Sequence, residues 1–263
     1  MPTVSEVCEY LDQLAPVDLA EDWDNVGLLI GRRSSEVRRM MTCLTLTPDV
    51  ASEAVEQCVQ LVVSHHPVLF RGAKKISDQS IEGQMILQLI ESGVAVYSPH
   101  TRFDSAQRGV NQRLAEGFGL QEISAIRRSE SLPALGSGRA GRLSSPMPLS
   151  EFLKVVRSVC DASYLEYCGD SDSTVSHVGV ACGAAAEFLD DAVELGCDTF
   201  VTGEARFHSV LDARNRGVNL ILMGHYSSER PAMEWLAAQL GQEFSGVDVK
   251  SSEVECDPLA LFS

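Results

Sequence analysis

The sequence predicts an α/β fold made of two related halves. Two observations carry that reading. Short apolar runs alternate with segments of helical periodicity, and a stretch of the first half recurs in the second. Of the 263 residues, 44% are hydrophobic, enough to bury a core and to exclude a disordered chain.

Taken in order, residues 4–14 form a helix, because Val4, Val7, Cys8, Leu11 and Leu14 fall on one face. WDNVGLLIG at 23–31 is a turn leading into a short apolar segment. MTCLTLT at 41–47 reads as a strand stopped by Pro48, followed by a helix over 49–60 and the strand LVVS at 61–64. A long connection covers 67–80. Then come a helix at 82–92, the strand VAVYS at 94–98 and a helix at 109–117. Residues 121–150 are rich in Ser, Gly, Pro and Arg and read as a connection. A helix at 149–160 follows, then strands at 164–168 and 175–182. Next are a helix at 184–195, a strand at 198–202, a helix at 205–216 and a strand at 218–224. A helix from Ser228 and a strand at 244–249 complete the chain. The expected domains are 1–125, completed by 226–263, and 126–225.

Charge narrows the function. Lys plus Arg number 21 against 37 Asp plus Glu, a formal charge of -16. Such a surface repels nucleic acid and anionic membranes; RGAKK at 71–75 is the densest basic patch. No apolar run approaches the length of a membrane span. The eight cysteines form no CxxC, and the N-terminus lacks the basic and apolar regions of a secretory signal. A cytoplasmic protein with reduced cysteines, none of them nucleophilic, is expected.

The repeat is specific. AVEQCVQLVVSHH at 54–66 aligns without a gap on AVELGCDTFVTGE at 192–204, an offset of 138, so that His66 faces Glu204. ESGVAVYSPHTRFD at 91–104 resembles NRGVNLILMGHYSSE at 215–229 with one inserted residue. Both copies end a strand with a histidine followed four residues later by an acid, His100 with Asp104 and His225 with Glu229. Shared packing explains the apolar matches but not the polar ones. Open α/β sheets hold ligands beyond the carboxyl ends of their strands. Two such domains, paired pseudo-symmetrically, would set a site between them.

Four of the six histidines, His65, His66, His100 and His225, fall at these strand ends, with Asp104 and Glu229 just beyond. Imidazole and carboxylate together suit Zn, Fe, Mn, Co or Ni. Six such groups exceed one closed tetrahedral site and fit two divalent ions. Adjacent histidines on a regular strand point to opposite faces. A turn before Pro67, which holds His66 extended, can bring both to one cleft. Asp104 and Glu229 are equally placed to serve helix starts. His177, inside a predicted strand, reads as structural. Glu204, His208 and Arg102 are candidate catalytic helpers: Glu204 orients a ligand or water or forms a salt bridge, and Arg102 faces an anionic substrate or solvent. Trp23 and Asp24 either line the cleft or anchor the first helix. No phosphate loop and no GxSxG is present.

The pieces EDWDNVGLLIG, VVSHHPVLF, YSPHTRFD with GVNQRLAEGFGL, VTGEARFH and GHYSSE, which together span almost all of the chain, resemble the GTP cyclohydrolase 1 type 2 homologues, the NIF-three-like dinuclear-metal family. The resemblance implies that His65, His66, His100, Asp104, His225 and Glu229 are metal-binding positions of two interlinked α/β domains. It also implies a toroidal homohexamer, and a short form lacking the domain that longer members insert between the halves. RFD, GEARFH and HYSSE depart from common family forms without removing a ligand-type residue. The expected function is metal-dependent hydrolysis of a small, nucleotide-like or phosphorylated substrate. The rival is a non-enzymatic metal-binding or regulatory scaffold in a ring-shaped oligomer.

Overall fold

The computed structural model describes residues 1–260. It divides into two compact units: one runs Met1–Phe103 and resumes at Ala232, the other is Asp104–Pro231. Positions 125 and 225 both fall inside the second unit.

The first unit is built on a five-stranded sheet. Its order is Gly27–Ile30, Ala95–Ser98, Leu61–Ser64, Arg39–Cys43 and Asp248–Ser251. All neighbours are parallel except the first pair. Leu61–Ser64 and Ala95–Ser98 are buried at every position, as expected of parallel strands covered on both faces. Met41, Val62 and Val96 pack there with Val50, Ile86 and Leu89 from flanking helices. Helix Val4–Leu14 starts at a capping box, Thr3 and Glu6 satisfying each other's backbone N–H. Helix Pro48–Glu56 has Thr47 as its cap and proline in its first turn. It ends earlier than the expected residue 60, because Cys58 takes a left-handed φ of 54° and turns the chain into the next strand.

The second unit carries six strands in the order Leu120–Ser124, Arg139–Pro148, Thr174–Ala181, Thr199–Thr202, Asn219–Leu222 and Glu166–Cys168. The expected connection at 121–150 is corrected here. It supplies Leu120–Ser124 and the ten-residue strand Arg139–Pro148, which pairs antiparallel with Thr174–Ala181. Composition hid the strand: Arg139 is buried and spends its guanidinium on the carbonyls of Gly136, Gly138, Ser105 and Ala106. Gly141 is small because the Gln121 carbonyl lies where a side chain would start.

The repeat is reproduced in the backbone. Leu61–Ser64 and Thr199–Thr202 stand at the offset read from sequence, as do Pro48–Glu56 and the helical pair Ala186–Phe188, Leu189–Glu194. Each sheet contains a parallel trio in matching order, Ala95–Ser98, Leu61–Ser64, Arg39–Cys43 in one and Asn219–Leu222, Thr199–Thr202, Thr174–Ala181 in the other. The α/β class with two related units therefore holds.

Candidate metal centre

In the first unit three imidazoles gather beyond the carboxyl ends of two parallel strands. Leu61–Ser64 ends one residue before His65, which frees the pair from strand alternation. The backbone stays pinned: His65 N–H donates to the Cys43 carbonyl at 2.9 Å and His66 N–H to Leu44 at 2.8 Å. Two hydroxyls also hold it, Ser98 Oγ donating to the His65 carbonyl at 2.6 Å and Ser64 Oγ to the His66 carbonyl at 2.8 Å. Both rings thus meet His100, and one ligand atom from each of the three lies within 4.8 Å of the others. His65 is fully buried.

His100 opens the short helix His100–Ser105 with φ +36°, a left-handed conformation costly for a side chain with a Cβ. Asp24 stabilises it. Its carboxylate meets His100 Nδ1 at 2.7 Å and accepts from Thr101 N–H at 3.2 Å and Thr101 Oγ1 at 2.6 Å. Burial pushes the Asp24 carboxyl up, but the bonds from His100 and Thr101 outweigh it and hold the group below its ordinary value. Thr45 Oγ1 meets His66 Nδ1 at 2.7 Å. Both rings are thereby oriented through Nδ1, which leaves Nε2 as the donor a metal would take.

In the second unit, Asp104 lies one helical turn beyond His100 on the same helix. The Cys182 thiol donates to Asp104 Oδ1 at 3.2 Å, and Asn111 accepts from Cys182 N–H at 2.8 Å and donates to the Asp104 carbonyl at 3.2 Å. Burial, then the charges of Asp104 and Glu229, push the thiol pKa up, so Cys182 remains a donor. His225 follows the strand Asn219–Leu222 and opens helix His225–Glu229. Its Nδ1 meets Glu204 Oε1 at 2.6 Å and its Nε2 meets Glu229 Oε2 at 3.1 Å. The bond to Glu229, reinforced by Glu204, raises the His225 pKa to about 9. Gly183 sits at φ +66°, and a Cβ there would collide with the Glu229 carboxylate.

A family model described as Duf34/NIF3 (NGG1p interacting factor 3) matches residues 2–258. The chain belongs to this family. A relative named GTP cyclohydrolase 1 type 2 homolog from Clostridium acetobutylicum is 32% identical, covering 90% of this chain and 89% of its own. The Protein NIF3 homolog of Schizosaccharomyces pombe is 31% identical over 97% of this chain and 96% of its own. Among solved structures, a Bacillus cereus protein related to NIF3 superposes with a TM-score of 0.91 at 21% identity, covering 99% of both chains, which speaks to the fold. A hypothetical protein of Staphylococcus aureus does so with a TM-score of 0.90 at 28% identity over the whole of both chains. The alignment with a Staphylococcus epidermidis relative runs over 361 positions against the 263 residues here, so that Duf34/NIF3 member carries residues this chain lacks.

The donor chemistry of this Duf34/NIF3 chain fits first-row divalent metal. Imidazoles oriented through Nδ1, beside carboxylates, match such ions rather than calcium or magnesium, which take oxygen shells. The candidate helpers separate. Glu204 orients His225. His208 is exposed in the first turn of helix Phe207–Arg216, its ring edge-on to Phe207 at 5.7 Å. Arg102 is corrected: it is only 1% exposed, with Nη2 on Asp12 at 2.7 Å and Nε on the Ala15 carbonyl at 2.9 Å. It therefore anchors the end of the first helix and does not face a substrate. His177 Nδ1 lies 3.1 Å from the carbonyl of Gly196, in the turn before strand Thr199–Thr202. Sequence reasoning left Asp24 undecided and missed Thr45 and Cys182. The signal available for Cys182 was its place at the end of the strand that the repeat matches to Arg39–Cys43.

Proposed function

We propose that the protein binds two divalent metal ions through His65, His66, His100, Asp104, His225 and Glu229, and hydrolyses a small phosphorylated or nucleotide-like substrate. One observation carries the reading: in each unit a strand-end histidine has its Nδ1 held by an acid, His100 by Asp24 and His225 by Glu204. A structural histidine needs no such oriented pair, whereas a ligand needs a fixed tautomer.

Such ions, when bound, supply Lewis acidity and lower the pKa of water. The chain's own part is to hold and orient. Asp24, Thr45 and Glu204 fix three imidazoles, and Cys182 and Asn111 fix Asp104. We further propose a ring of six copies and a reducing, cytoplasmic location. The free cysteines of the described residues support that location, and no described helix is long and apolar enough to cross a membrane.

Metal analysis of the purified protein tests this, followed by a metal-dependent screen over nucleotides, phosphoesters and cyclic amides. About two ions per chain are expected, with loss of most of them in His66→Ala plus Asp104→Ala. Equal metal in that variant would overturn the ligand assignment. Full metal loading with no turnover across the screen would favour the scaffold reading instead. Light scattering of the purified protein checks the ring.

A further inference from the structure

The three residues of WDN at 23–25 divide the labour beside His100. Asp24 holds His100 and Thr101. Asn25 donates through Nδ2 to the Leu69 carbonyl at 2.6 Å, tying this turn to the connection that carries Phe70. Trp23 does neither: its indole is 60% exposed, and Phe70 beside it is 47% exposed. Their ring centroids are 5.8 Å apart, and they stand 6.0 and 6.1 Å from the His100 ring with planes near perpendicular to it.

An exposed apolar side chain alone calls for no explanation. Here two exposed aromatic rings converge on a candidate ligand imidazole, and a hydrogen bond holds their two loops together. Their 57° tilt at 5.8 Å leaves no room for a third ring between them, since face contact needs about 3.5 Å on each side. A planar ligand would instead lie across the pair against an outer aromatic face. Arg71, Lys74 and Lys75 follow Phe70 directly and are exposed, in a chain whose formal charge is -16.

We propose that Trp23 and Phe70 form a stacking subsite for the planar heteroaromatic ring of an anionic small molecule, with Arg71, Lys74 and Lys75 supplying local positive charge. The subsite rests on the metal-centre reading, which makes its occupant the substrate of the adjoining site.

The chain has two tryptophans, and Trp235 stacks on Phe103 at 6.1 Å. Trp235→Phe therefore leaves Trp23 as the sole indole. Its fluorescence is followed during titration with adenosine 5′-monophosphate, guanosine 5′-monophosphate, ribose 5-phosphate and inorganic phosphate. Calorimetry on the chain with both tryptophans repeats each titration, so the result does not depend on that substitution. Saturable quenching by a nucleotide is expected, with ribose 5-phosphate at least about tenfold weaker and a similar loss in Trp23→Ala and Phe70→Ala. The proposal is overturned if no nucleotide binds, if ribose 5-phosphate binds as tightly, or if Trp23→Ala binds nucleotide unchanged. It is equally overturned if either alanine variant dissociates an oligomer, because the patch is then covered by a second copy. Metal content of the same preparations separates the two readings. Metal kept while nucleotide is lost in Trp23→Ala supports the subsite, whereas absence of metal from the unsubstituted protein removes the centre and leaves the binding data to judge the subsite alone.

Discussion

Asp24→Asn preserves the shape of a side chain that is fully shielded from solvent and changes what it can accept. The carboxylate meets His100 Nδ1, Thr101 N–H and Thr101 Oγ1 at 2.7, 3.2 and 2.6 Å. An asparagine offers one acceptor oxygen and one NH2. If the NH2 turns to His100, Nδ1 must become the acceptor and the ring proton moves to Nε2, the atom a metal needs unprotonated. If the NH2 turns to Thr101, a donor faces the Thr101 backbone donor, at about 1–3 kcal/mol. Either way metal affinity is expected to fall about 10–100-fold, or roughly 1.4–2.7 kcal/mol. The metal-free fold loses about 1–3 kcal/mol, which at roughly 2–4 °C per kcal/mol is a drop of several degrees in Tm. Competition with a chromophoric chelator gives the affinity, and melting with and without EDTA gives the stability. A variant that binds metal within about twofold of the parent and melts at the same temperature would show that the Asp24–His100 contact does not orient a ligand.

Gly183→Ala places a methyl against the Glu229 carboxylate at a left-handed φ of +66°. It is expected to cost about 1–3 kcal/mol and to lower metal content, read by melting and metal analysis. Arg102→Met removes a buried guanidinium from Asp12 and the Ala15 carbonyl. The expected loss is about 2–4 kcal/mol of stability, with metal content per folded molecule unchanged, measured by denaturant titration and metal analysis. With the His225 pKa raised to about 9 from an ordinary 6.5, its contribution to the metal-free fold is complete below 6.5 and fades as pH rises through 9. Metal must displace that proton, so loading at pH 7 releases it and affinity rises with pH across the same window. Calorimetric titration in buffers of different ionisation enthalpy reads the release directly.

The strands of the parallel trios were legible because buried strands of this kind are short, uniformly apolar and bounded by turn residues, as LVVS and VAVYS are. The strand-end histidines were legible because they interrupt that pattern in register with the repeat. What sequence hid has a common cause, namely that partners come from elsewhere in the chain. The strand Arg139–Pro148 has few apolar positions and is held by pairing on both edges and by the buried Arg139 network. Arg102 sits between a histidine and an acid at helical spacing, yet it points off the opposite side of a short helix to Asp12, ninety residues earlier. Asp24 reaches His100 across 76 residues. No periodicity encodes such a bond.

The structural correspondence between the halves also explains why their donors differ. The offset that superposes Leu61–Ser64 on Thr199–Thr202 puts Glu204 where His66 stands and Gly183 where Thr45 stands. In the first unit that pair is a ligand-type imidazole and the hydroxyl that orients it. In the second it is the acid that orients His225 and a glycine that leaves room for Glu229. The first unit therefore needed an orienting acid from outside the repeat, and Asp24 provides it from the turn before the Gly27–Ile30 strand. One framework thus presents three imidazoles and Asp104 in one copy, and a single imidazole with Glu229 in the other. Exchanging Glu204 for His would restore the sequence symmetry but remove the acceptor on His225 Nδ1. Its expected effect is lower metal affinity despite an added ligand-type residue, and a gain in metal content would refute the division of roles.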